Sequence, residues 1–174
     1  MEQPRFLEIM LGHNTWATRL LLDDAAKLTA EQFNRRFEIG LGSLHDTLRH
    51  IIGAMLRWAD RIAARTVQPS IEKTHPALTV AELLAFLDQA DAELRVVAEV
   101  TTVAGLWNDP IEFSLPEGPV YRFSRAAAMM HVLSHGTYHR AQVVHMRKRL
   151  GLPPLGLDLD PIEWECSQTG QIIG

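Results

Sequence analysis

Residues 124–150 read SRAAAMMHVLSHGTYHRAQVVHMRKRL. Ser124 is a residue type that caps helix N-termini and Gly151 one that stops helices, so the spacing predicts one helix from about Ser124 to Leu150. At 1.5 Å per residue that helix is about 40 Å long. Arg147, Lys148 and Arg149 fall in its last turn, where positive charge complements the helix dipole. Its stretch Ala126–His139 is the longest in the chain without Asp, Glu, Lys or Arg, yet its 14 residues include three histidines. A membrane-spanning helix needs roughly 20 mostly apolar residues, so this one is predicted to be a bundle element and the chain to have no membrane partner.

Three more segments carry apolar residues at three- and four-residue steps, the mark of amphipathic helices. The first runs from about Pro4 to Lys27, with Pro4 at an early helical position and Leu7, Met10, Leu11, Asn14, Ala17, Leu21 and Leu22 along one face. The second runs from about Ser43 to Arg65. Ser43 and Asp46 make a cap-like start, and Leu44, Leu48, Ile51, Ile52, Met55, Ala59 and Ile62 form the stripe. The third runs from about Thr79 to Val100, opened by the capping box Thr79/Glu82 and striped by Leu83, Leu84, Leu87, Ala90, Leu94, Val97 and Ala98. Between the first two, Thr29 and Gln32 can cap one short turn, and Gly40 and Gly42 break the chain before the second helix. Pro69 and Pro76 mark residues 66–78 as a loop. Residues 106–123 alternate, with Ile111 and Phe113 on one side and Pro-Glu-Gly-Pro at 116–119, and predict a short hairpin. The tail after Pro153-Pro154 is expected to pack through Leu155, Leu157, Ile162 and Trp164. Four helices of similar length bury their faces best as a bundle, so the expected fold is all-α, a four-helix bundle with a hairpin before the last helix, in one domain over residues 1–174.

Composition narrows the function classes. The chain has 174 residues, 47% hydrophobic, with formal charge −4 and pI about 6.0. No basic stripe is supplied for nucleic acid, and none is expected as a partner. A single cysteine, Cys166, cannot form an internal disulfide, and it reads as an ordinary free thiol near Trp164. The N-terminus lacks the basic-then-apolar layout of a signal peptide, which leaves a cytoplasmic location as the expectation.

Histidine is the unusual component: eight in all, four of them between positions 131 and 145. His131, His135 and His139 step by four, so they lie within an arc of about 80° and span about 12 Å of axis. One ion with metal–nitrogen distances near 2 Å takes two neighbours of the three, and a further ligand must come from elsewhere. The second helix offers His45 and His50. On a helical wheel His45 falls within the broad edge of the apolar stripe and His50 just outside the opposite edge, so the wheel mildly prefers His45 and keeps both in play. Arg140, beside His139, reads as a surface charge. Met129, Met130 and Met146 read as fillers of core gaps.

Three stretches resemble the DinB family of the DinB/YfiT-like superfamily, whose members are metal-binding four-helix bundles. They are His-Asn-Thr-Trp-Ala at 13–17, Gly-Ser-Leu-His-Asp-Thr-Leu-Arg-His-Ile at 42–51 (followed by Trp58), and His-Val-Leu-Ser-His-Gly-Thr-Tyr-His-Arg-Ala-Gln-Val at 131–143. This chain carries His13 where many relatives have Tyr, and Ala141 where many have Gly. By position, the resemblance implies His50, His135 and His139 as ligands of a divalent ion. Zinc is the expected ion, with nickel, iron, manganese and cobalt compatible. His45 becomes a neighbour, and His131 a residue that supports the ligands or binds a loop. Asn14, Asp46 and Gln142 are candidates to hold the ligands' other ring nitrogens, with ordinary capping or solvent contact the favoured role for each.

Three imidazoles leave a coordination position open, as in catalytic rather than structural zinc sites. The resemblance further implies a metal-dependent enzyme that transfers a small thiol to an electrophile, and a homodimer. The alternative is a non-enzymatic metal-binding protein of stress response or interaction. No glutamate adjoins the paired histidines as in His-Glu-x-x-His, so the hydrolytic base of that motif is missing.

Overall fold

The computed structural model describes residues 5–114 and 117–170. Pro4 and Pro116, to which the sequence reading assigned a helix start and a turn, lie outside the described residues. Four long helices dominate: α1 (Arg5–Ala25), α3 (Leu44–Ile62), α5 (Val80–Val103) and α6 (Arg125–Arg149). Between and after them come the short helices α2 (Ala30–Asn34), α4 (Ile71–Thr74) and α7 (Pro161–Thr169), and the strands β1 (Pro110–Ser114) and β2 (Val120–Ser124).

The helix starts follow local hydrogen-bonding chemistry. Thr29 and Thr79 each accept a backbone N–H three residues on, while Gln32 and Glu82 reach back to the cap's own N–H. Ser43 accepts from the Asp46 N–H, and Ser124 from that of Ala127 at 3.1 Å. Gly151 adopts φ 74° just after α6, a conformation cheap only for glycine.

α3 packs against α5 and α6, and α1 packs against the same two, so α1 and α3 face each other across a diagonal. The chain therefore crosses the bundle between α1 and α3, which is the work of α2 and the loop after it. Inside, one contiguous core collects every apolar α3 residue expected from the wheel, from Leu44 to Ile62, with Leu11, Leu22, Leu83, Leu87, Leu94, Val132 and Val143. Leu84 of α5 and Met10 of α1 are only partly buried and pack on the outside of this core. The hairpin pairs Ile111 with Phe123 and Phe113 with Tyr121 in antiparallel register. Among the described residues no helix is long and apolar enough to cross a membrane.

Three expectations need correction. The 66–78 loop contains the turn α4, whose Ile71 is buried in the core. The tail folds into α7, with Asp160 as cap and Pro161 in the first turn. Its Trp164 packs closely against Gly12 of α1, where a Cβ would collide with the indole. Because Ile162 lies about 200° from Trp164 on the helix, it faces solvent at 73% exposure, and Leu157 is also exposed. Met130 faces outward as well, while Met129 and Met146 fill the core as expected.

Candidate metal centre

α3 turns its apolar stripe inward and leaves His50 on the flank that meets α6. On α6, Val132, Leu133, Gly136 and Val143 are buried, and His135 and His139 occupy the adjoining edge of that face. One helical turn separates the two rings, whose centroids are 4.3 Å apart. His50 sits 4.9 Å from each by the same measure. One ring nitrogen from each of the three residues lies within 4.8 Å of the others, close enough that the group could hold a metal ion. The Nε2 atoms of His50 and His135 are 3.1 Å apart. Nitrogens sharing a tetrahedral zinc at 2.0–2.1 Å stand about 3.3 Å apart, so the pair already has the separation of common ligands.

The other ring nitrogens are held from outside. His50 Nδ1 lies 2.9 Å from Glu72 Oε1, and His139 Nδ1 lies 2.9 Å from Gln142 Oε1. Carboxylate and amide oxygens accept, so both Nδ1 atoms donate and both Nε2 lone pairs are free to face the cluster. Gly40, at φ 52°, passes so close over the Gln142 amide that any Cβ would strike it.

The electrostatics on α6 favour neutral rings at His135, His139 and His131. Burial, then the neighbouring His139, His50 and His131, push His135 down to about 3. Burial also lowers His139, against the hydrogen bond that His139 donates to Gln142, and burial lowers His131. For Glu72, burial would raise the carboxyl, but effects led by the hydrogen bond from His50 bring it below its ordinary value. Neutral imidazoles are the ligand form. A pH dependence follows. Above about pH 6.5 these rings are neutral in both folded and unfolded chains. As pH falls through 6.5, the unfolded chain takes up protons that the folded rings refuse, and stability is lost until the folded values are reached. The metal-free protein should therefore show a lower urea midpoint at pH 5 than at pH 7; equal midpoints would refute the lowered pKa of His135 and His139.

The remaining histidines have other work. His45 is buried, with Nδ1 3.1 Å from Asp46 Oδ1, and its Nε2 accepts the Leu78 backbone N–H at 3.3 Å. It braces the loop that leads into α5, against the edge of Phe33. His131 is exposed and packs tilted against Trp58, with ring centroids 4.7 Å apart, and lies 5.5 Å from His135, outside the trio. His13 is buried and bonds the Leu159 carbonyl at 3.0 Å, tying the tail to α1. Cys166 is half-buried on α7, which packs against α1.

Of the three residues proposed to hold ligand rings, Gln142 does so, whereas Asp46 serves His45 and Asn14 serves Arg140. Arg140 is the clearest correction: it is 2% exposed rather than a surface charge. Its Nη1 donates to Asn14 Oδ1 at 2.7 Å and to Thr18 Oγ1 at 3.3 Å, and its Nη2 to Thr137 Oγ1 at 3.1 Å. Burial lowers its pKa to about 10. Gly136 is glycine because a Cβ there would run into Asn14 Oδ1 and the Arg140 guanidinium. Glu72 is the residue that sequence reading missed. It lies in what reads as a plain loop, 22 positions from His50, and only Ser70 before Ile71 hints at a helical turn there.

A model of the DinB family matches residues 1–171. The chain belongs to the DinB family. It is also similar to Protein DinB of Bacillus subtilis (strain 168), with 20% identity over 142 residues, 80% of this chain and 83% of the relative. In this DinB-family member the three sequence stretches meet in space. The stretch at 42–51 supplies His50 and the stretch at 131–143 supplies His135 and His139, while the stretch at 13–17 reaches the latter through Asn14 and Arg140.

Proposed function

We propose that this DinB-family protein holds one divalent ion on His50, His135 and His139 and uses it to transfer a small thiol to an electrophilic substrate. The observation that carries the reading is the convergence of three imidazoles from two helices, two of them with Nδ1 held by an outer acceptor. Such a donor set suits zinc first, and also nickel, iron, manganese or cobalt. When bound, a divalent ion with an open position lowers the pKa of a coordinated thiol, so that sulfur is available as thiolate at neutral pH. The protein's own residues orient and shield. Glu72 and Gln142 fix the tautomers of His50 and His139, and His131, packed against Trp58, stands beside His135. In the transfer the thiol proton passes to solvent, a carbon–sulfur bond forms, and the bond from that carbon to its leaving group breaks with its electron pair.

A second reading is a non-enzymatic metal-binding protein, favoured by the trio's bridging of α3 and α6, which an ion would staple. The deciding experiment is elemental analysis of tag-free protein, followed by titration of the cobalt-loaded protein with small thiols. Sulfur-to-cobalt charge-transfer absorption supports the thiol reading. A bound ion that lifts the melting temperature but takes no thiol supports the second. The proposed homodimer is checked by light scattering.

A further inference from the structure

We infer that Glu72 is a positioning residue of the metal centre, delivered by α4 to hold His50 with its Nε2 turned toward His135 and His139. The inference deepens the metal reading of the trio and rests on it. Two elements meet to make this contact, α4 and α3. The short α4 turn is anchored by Ile71, which is 5% exposed, so the next residue is carried to the flank of α3. There Glu72 Oε1 meets His50 Nδ1 at 2.9 Å.

Opposite the carboxylate, one turn beyond His50 on α3, stands Gly53. A Cβ at that position would come within 2.7 Å of Glu72 Oε2 and 3.1 Å of its Cδ. Glycine in a helix interior costs about 1 kcal/mol relative to alanine, and here its missing side chain is the seat of the carboxylate. The second oxygen, Oε2, is buried and has no hydrogen-bond partner among the described residues. A buried acceptor left unpaired is unfavourable, so the position is not one that Glu72 reaches by satisfying itself. The arrangement is explained by what it does to His50. A carboxylate on Nδ1 selects the tautomer with the free Nε2 lone pair, strengthens the ring as a donor, and places a negative charge behind a site for a cation.

The test compares wild-type protein with Glu72→Ala, Glu72→Gln and Gly53→Ala. Zinc affinity is measured by competition with a chromophoric chelator, and the His50 tautomer by ring-nitrogen NMR of the metal-free protein. Glu72→Ala should weaken zinc binding by roughly 10–100-fold and release His50 from the Nδ1–H form. Gly53→Ala, which keeps the carboxylate but fills its seat, should move both readouts the same way. Glu72→Gln keeps an acceptor oxygen without the charge, so it should preserve the tautomer with a smaller loss of affinity than Glu72→Ala. Wild-type affinity in Glu72→Ala, or an unchanged His50 tautomer, overturns the role. Were the wild-type protein to bind no zinc, the metal reading would fall, while the tautomer measurement would still decide whether Glu72 positions His50. If Glu72→Ala does not fold, Glu72→Gln and Gly53→Ala carry the comparison.

Discussion

His135→Ala should abolish stoichiometric metal binding while leaving the metal-free protein folded. The ring is half-buried at the edge of the α3–α6 interface and neutral. It is also the member of the trio whose Nε2 faces that of His50 at 3.1 Å. Removing an outer partner of a ligand costs 10–100-fold in affinity, so loss of a ligand itself should exceed about a hundredfold. The loss has a thermal signature. An ion at a hundred times its Kd adds about 2.7 kcal/mol of stability, which for a chain of this size raises Tm by roughly 5–10 °C. That increment should be present in wild type, removed by a chelator, and missing from the variant at equal zinc concentration. Removing the imidazole should leave the metal-free Tm nearly unchanged, since it relieves crowding among three rings and opens no closed cavity. Full metal content in the variant would place the ion elsewhere and refute the trio.

Arg140→Ala is expected to be the most destabilising single change in the same helix. The guanidinium is buried, has no carboxylate partner among the described residues, and spends its donors on Asn14, Thr18 and Thr137. Truncation leaves Asn14 Oδ1 buried without its donor and opens a void between α1 and α6. A buried polar group left unpaired costs about 1–3 kcal/mol, and the void adds to that. A loss of about 3 kcal/mol in urea unfolding is expected. The relief of an unfavourably buried charge offsets only part of this, because the network was built around that charge and Gly136 was kept bare to admit it. A loss below about 1 kcal/mol would mean that Asn14 finds another donor and that α1 and α6 are not joined by this network.

Both expectations concern one helix, yet only one was readable beforehand. The pairing of His135 with His139 follows from helical geometry, because a four-residue step brings two rings together whatever the surroundings. The starts of α3, α5 and α6 were readable for a similar reason: Ser43, Thr79 and Ser124 bond to N–H groups three residues away. The α3 stripe was readable because its period matches the turn of the helix.

The choice between His45 and His50 was of another kind. Both lie near edges of one stripe, and the wheel leaned toward His45; family resemblance, not periodicity, pointed to His50. What separates them is their neighbours. α3 has α6 on one flank, facing His50, while His45 is enclosed by Phe33, Asp46 and the Leu78 backbone. Glu72 was missed and Arg140 misread for the same reason, since their partners lie 22 and 126 positions away.

Helix boundaries, caps and the stacked imidazole pair thus belong to the chain read locally, because their energetics close within one or two turns. Which third ring joins the pair, which acceptor orients it, and which arginine is buried depend on how separate helices pack. Those contacts arise only after the apolar stripes have been buried and the flanks of the helices have been brought face to face.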